Sequence, residues 1–141
     1  FSISKLLSIR GNLSIIEAAK SNKYGPLPSI SPLFGRLFLQ YQKGDWLSHF
    51  SYQLSDKKHP DDYSFGGEDG LEETPLITAN PIVYAGTPTW SELSWLVQYR
   101  FKENTIFRVA LDNIFDVHYR PFASGISAPG RNLKLGINYR F

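Results

Sequence analysis

The chain has 141 residues, 42% of them hydrophobic and 15% aromatic, a formal net charge of +2 and no cysteine. That length suits one domain, and the apolar content excludes a disordered chain. The lack of cysteine excludes a disulfide framework, a thiolate metal site and a thiol nucleophile, and no dense Lys/Arg cluster is present to track nucleic-acid phosphates.

Residues 6–16 alternate, with Leu7, Ile9, Leu13 and Ile15 set against Ser8, Arg10, Asn12 and Ser14. Successive side chains of a strand point to opposite faces, so this alternation predicts a strand with one apolar and one polar face. Residues 20–32 hold Gly25, Pro26, Pro28 and Pro32 and predict a loop. In residues 33–42, Leu33, Gly35, Leu37, Leu39 and Tyr41 oppose Phe34, Arg36, Phe38, Gln40 and Gln42. Lys43-Gly44-Asp45 predicts a tight turn, because Gly44 is free to take positive φ. Residues 46–54 return as the hairpin partner, Trp46, Phe50, Tyr52 and Leu54 on one face, His49, Ser51 and Gln53 on the other.

Residues 56–88 read as a structureless loop of about thirty residues, a length unusual in a compact soluble domain. Its Asp61, Asp62, Glu68, Asp69, Glu72 and Glu73 lack EF-hand spacing and read as a solvated tip. Residues 89–101 form a strong strand: Leu93, Trp95, Val97, Tyr99 and Phe101 against Glu92, Ser94, Gln98 and Arg100, with Leu96 the exception. Lys102-Glu103-Asn104 is a second tight turn. Residues 105–113 then set Phe107, Val109 and Leu111 against Arg108, Ala110 and Asp112. After a longer connection, residues 131–141 alternate without a break: Leu133, Leu135, Ile137, Tyr139 and Phe141 against Asn132, Lys134, Gly136, Asn138 and Arg140.

The pattern predicts an all-β, antiparallel, up-and-down fold of about six strands, whose connections alternate long and short. Both tight turns then fall on one rim and all long loops on the other. An aromatic-rich chain of this kind fits a transmembrane β-barrel, with its greasy face in lipid and its polar face on a wet lumen. No apolar run approaches the roughly 18 residues of a spanning helix, which leaves crossing by strands untouched. A soluble β-barrel or sandwich that binds a ligand and buries the same apolar positions stays open. In the membrane reading Arg10, Arg36, Glu92, Arg100, Arg108, Asp112, Lys134 and Arg140 face the lumen. On the lipid face an Arg or Lys would cost about 2–4 kcal/mol at the midplane. His49, His59 and His118 have no metal-ligand spacing, and no GxSxG element or glycine-rich phosphate loop is present. No enzyme activity, metal or cofactor is expected.

Residues 112–141 carry Asn113-Ile114-Phe115-Asp116, Tyr119-Arg120, Pro129-Gly130-Arg131-Asn132 and a terminal Phe141. In that order they resemble the carboxyl terminus of TonB-dependent outer-membrane receptors. Gly25 to Tyr41 and the GGEDGLEETP and GTPTW stretches are similar to late loops of the same family, more loosely. The resemblance implies a bacterial outer-membrane protein importing a siderophore, haem, cobalamin or a glycan. It implies that residues 1–141 are the carboxyl-terminal part of a barrel of about 22 strands whose lumen is plugged. Nothing in the chain resembles the plug or the TonB box. The implied partners are membrane lipid, the rest of the barrel, the plug that the lumen-facing charges would contact, and TonB acting through that plug. Leu133, Leu135, Ile137, Tyr139 and Phe141 resemble the terminal signal read by the outer-membrane assembly machinery through an exposed strand edge.

Overall fold

A computed structural model describes residues 4–18 and 25–141; part of the loop expected at 20–32 lies outside them. Six strands form one antiparallel sheet in the order β1 (Leu7–Ser14), β2 (Phe34–Lys43), β3 (Trp46–Ser55), β6 (Trp90–Lys102), β7 (Thr105–Asp112), β8 (Asn132–Tyr139). Each strand pairs with its neighbour in the sequence of the sheet, which is the expected up-and-down path. The interval between β3 and β6 departs from the expected structureless loop. It holds two single-turn 3-10 helices, Pro60–Asp62 and Leu71–Glu73, and a small separate hairpin, β4 (Leu76–Ala79) with β5 (Ile82–Tyr84).

Register explains why the alternation matters. Leu39 faces Ile9 and Phe50, Phe50 faces Trp95, Trp95 faces Leu111, and Leu111 faces Leu133. Three residues along, on the opposite face, Arg36 faces Asn12 and Gln53, and Gln53 faces Glu92. A slip of one residue at any pairing would mix the two sets, so the apolar face fixes the register of all six strands together. Aromatic pairs stack across it, Trp46 on Tyr99 at 4.4 Å and Phe50 on Trp95 at 5.7 Å between centroids.

This apolar face is uncovered. Leu135 is 75% exposed and Ile137 71%, and Leu37, Trp46, Phe107 and Val109 are exposed as well. The one buried hydrophobic residue among those described is Tyr63, which lies in the rim and not on the sheet. A soluble sandwich or closed soluble barrel needs the reverse, with these side chains inside. Among the described residues no helix is long and apolar enough to cross a membrane. β1 and β8 end the sheet.

The two tight turns, at Lys43–Trp46 and Lys102–Thr105, share one rim, and Gly44 takes the expected positive φ of 55°. The described residues of the other connections, 15–18 with 25–33, 56–89 and 113–131, share the opposite rim.

Candidate functional site

The long-connection rim is built, not loose. Asn113 ends β7 in left-handed backbone (φ 48°), a conformation Asn tolerates better than most residues. Its amide donates to Val117 O at 2.9 Å and Pro129 O at 3.1 Å, and its side-chain oxygen accepts from Val117 N. Asp116, also left-handed, accepts from Arg131 N at 2.7 Å. The Asn-Ile-Phe-Asp and Pro-Gly-Arg elements of the sequence therefore tie the two ends of one connection together. Asn113→Ala removes three part-buried hydrogen bonds, each with a net worth of about 0.5–1.5 kcal/mol. A drop in the denaturant midpoint corresponding to at least one such bond is expected, and Asn113→Asp should not recover it, because a carboxylate cannot donate to the Val117 and Pro129 carbonyls.

A second knot joins all three connections. Lys58 and Asp69 form an ion pair at 3.0 Å with both side chains almost wholly buried. Lys58 Nζ also donates to Ile30 O at 2.6 Å and lies 4.1 Å from the centre of the Phe122 ring. Asp69 accepts from Ser29 N at 2.7 Å and from Ser64 N at 3.4 Å. Burial pushes the Asp69 carboxyl up. The Ser29 N–H, the Lys58 ammonium and the Ser64 N–H outweigh that and hold it below the usual range. Lys58 N–H donates to Thr87 O, and Tyr63 shares hydrogen bonds with Thr87. Gly86 has φ 77° and runs so near Lys58 that an added Cβ would sit 2.1 Å from its carbonyl oxygen. Asp69 was expected in a solvated acidic tip; at 2% exposure it is instead the buried anion of this clasp.

Beneath the clasp, where the polar sheet face meets the rim, lies a groove of about 740 Å³. Asn12, Arg36, Gln53, Trp90, Tyr119 and Phe122 line it. The Trp90 and Tyr119 rings stack at 4.0 Å and 21°. Burial, then the nearby Glu92 carboxylate, push the Tyr119 phenol up, so it stays neutral.

No protein-family model matches the chain, and no curated protein matches it. Solved structures do. The copper transporter OprC superposes with a TM-score of 0.76 over 100% of this chain and 22% of its own, at 19% identity. The ferric-catecholate import receptor Fiu from E. coli K12 superposes with a TM-score of 0.63 over 99% of this chain and 19% of its own, also at 19% identity. The chain shares their fold. It spans about a fifth of the length of each of these proteins.

Within that fold, register places Arg10, Arg36, Glu92, Arg100, Arg108, Asp112 and Lys134 on the one polar face. Arg140 lies past the end of β8, its backbone N–H on Asn104 O. Arg10 donates to Gln40, Arg108 donates to Gln98, and Lys134 pairs with Asp112. Glu92 differs from the rest: it is 4% exposed and accepts from Gln53, Ser94 and the Asn113 N–H. Its carboxylate braces the turn after β7 and does not project from the wall. Leu133, Leu135, Ile137 and Tyr139 share the apolar face of β8, and Phe141 packs edge-on against Tyr139 at 5.5 Å. Among the described residues no three His, Cys, Asp or Glu side chains gather as metal ligands. Sequence reasoning passed over Lys58, Trp90, Tyr119 and Phe122 as site residues. Only the Gly-Thr-Pro-Thr-Trp stretch and the Tyr119-Arg120 pair gave any signal of them.

Proposed function

We propose that the chain is carboxyl-terminal barrel wall of a TonB-dependent outer-membrane receptor, a transporter that imports a nutrient too large to diffuse in. The observation that carries this reading is the uncovered apolar face, continuous over six register-locked strands and backed by a face of charges. Lipid satisfies the first face and a wet, plugged lumen the second. The fold shared with a copper transporter and a ferric-catecholate import receptor supports it, as does the motif order in residues 112–141. In this reading the remaining strands pair with β1 and β8. A plug rests against Arg10, Arg100, Arg108, Asp112, Lys134 and Arg140, Arg36 lines the ligand path beside it, and TonB acts through that plug. Assembly machinery reads the edge of β8. The cargo is a siderophore, haem, cobalamin or a glycan, bound without covalent chemistry. A soluble ligand-binding domain is disfavoured, because nothing among the described residues covers the apolar face.

Residues 1–141 hold no cysteine, so none of their own side chains competes for a thiol-directed label. Leu135→Cys and Val109→Cys, spin-labelled in the purified protein in phospholipid, should be reached by oxygen and shielded from a water-soluble nickel chelate. Lys134→Cys and Arg108→Cys should show the reverse. Nickel access at positions 109 and 135 in a lipid-free, folded monomer would refute the membrane reading.

A further inference from the structure

We propose that the groove under the rim binds an organic anion with a flat apolar body, its charged group on Arg36 and its flat part against Trp90 and Tyr119. The proposal rests on the receptor reading and names the class of molecule that this part of the wall would meet.

Size is the first argument. At about 740 Å³ the groove falls within the roughly 300–1,000 Å³ typical of small-molecule sites. A bare inorganic ion fills a small part of that space. Charge is the second. Among the described residues the Arg36 side chain makes no hydrogen bond or ion pair. The one carboxylate near it in register, Glu92, is buried and already bonded to Gln53, Ser94 and the Asn113 N–H. The indole N–H of Trp90 is buried and has no acceptor. The one unpaired charge on the groove wall is therefore the guanidinium, with five N–H donors and no acceptor. A cation would face like charge there. An oxyanion answers the guanidinium fork with two parallel hydrogen bonds.

Shape is the third argument. The stacked Trp90 and Tyr119 rings both line the groove, with Phe122 beside them. Flat π-surfaces favour a flat partner in offset or edge-on contact. A wholly polar anion such as inorganic phosphate would leave that wall uncovered.

The test uses three probes of one shape and different charge: 2-naphthoate, 2-naphthamide and 2-naphthylmethylammonium. They are titrated calorimetrically into the full protein purified in detergent micelles. Naphthoate should bind more tightly than the amide by about tenfold or more, as a charge-assisted hydrogen-bond pair implies, and the ammonium should bind weakest. Arg36→Gln should bring the acid-to-amide ratio close to one with little change in the amide. Arg36→Lys should keep a reduced preference, and Trp90→Leu should weaken both probes together. Unchanged resistance of the rim to protease verifies that each variant is folded. Equal binding of acid and amide by the unaltered protein, binding of neither, or an Arg36→Gln variant that keeps the preference would each overturn the proposal. Lipid-side spin labels together with no preference for naphthoate would sink the groove alone. Water-side labels would sink the receptor reading whatever the groove binds.

Discussion

Asp69→Ala will release all three rim connections together. The substitution leaves Lys58 charged and buried with its counter-ion gone, and stranding one member of a buried pair costs about 3–5 kcal/mol. The lost carboxylate also held Ser29 and Ser64, and Lys58 reaches Ile30 and Phe122. Limited proteolysis should therefore cut within 25–33, 56–89 and 113–131 under conditions in which the native rim resists, while the β2–β3 hairpin stays intact. The double variant Lys58→Met, Asp69→Leu should regain much of the protection, since an apolar pair carries no desolvated charge. An unchanged cleavage pattern in Asp69→Ala would mean that the connections are held elsewhere. Acid should act the same way. The Asp69 carboxyl titrates below its ordinary 3.8. A carboxyl depressed in the folded state contributes stability that is complete above the unfolded value and lost as pH falls through the folded one. Rim protection should then be flat at neutral pH and decline only below about pH 4, and Asp69→Asn should lack that decline.

Val109→Arg will impair insertion and stability, while Ala110→Arg, one residue along the same strand, will be far milder. Val109 lies on the apolar face, opposite Val97 and Leu135. Ala110 lies on the polar face, opposite Leu96 and Lys134. An arginine on the lipid side near the midplane costs about 2–4 kcal/mol, whereas on the lumen side it keeps its hydration. Urea unfolding from phospholipid vesicles and the amount of assembled protein in the membrane both read this difference. Equal penalties at the two positions would contradict the two-faced wall.

The sheet was legible because its signal is periodic. Each of the six long strands carries its own alternation, so residues such as Ile9, Leu39, Trp95 and Leu135 declared their face before any partner was known. The rim was less legible because its contacts are long-range and aperiodic. Nothing local separates Asp69 from Glu68 or Glu72. What selects it is a lysine 11 residues back and a backbone N–H 40 residues away. The β4–β5 hairpin escaped notice because strands of four and three residues are too short to show alternation within a stretch rich in glycine, proline and acid. Arg36 and Glu92 looked alike in sequence, each a charge on the polar face. Only the fold separates the arginine, free in the groove, from the glutamate bound to a turn.

The clasp also sets the terms on which this rim can change over generations. A foreign segment recombined into one connection would arrive without the counterparts that Lys58 and Asp69 require in the other two. New cargo preferences acquired by segment exchange must then arrive as a linked trio. Single substitutions at groove positions outside the knots, such as Asn12 and Arg36, are the cheaper path.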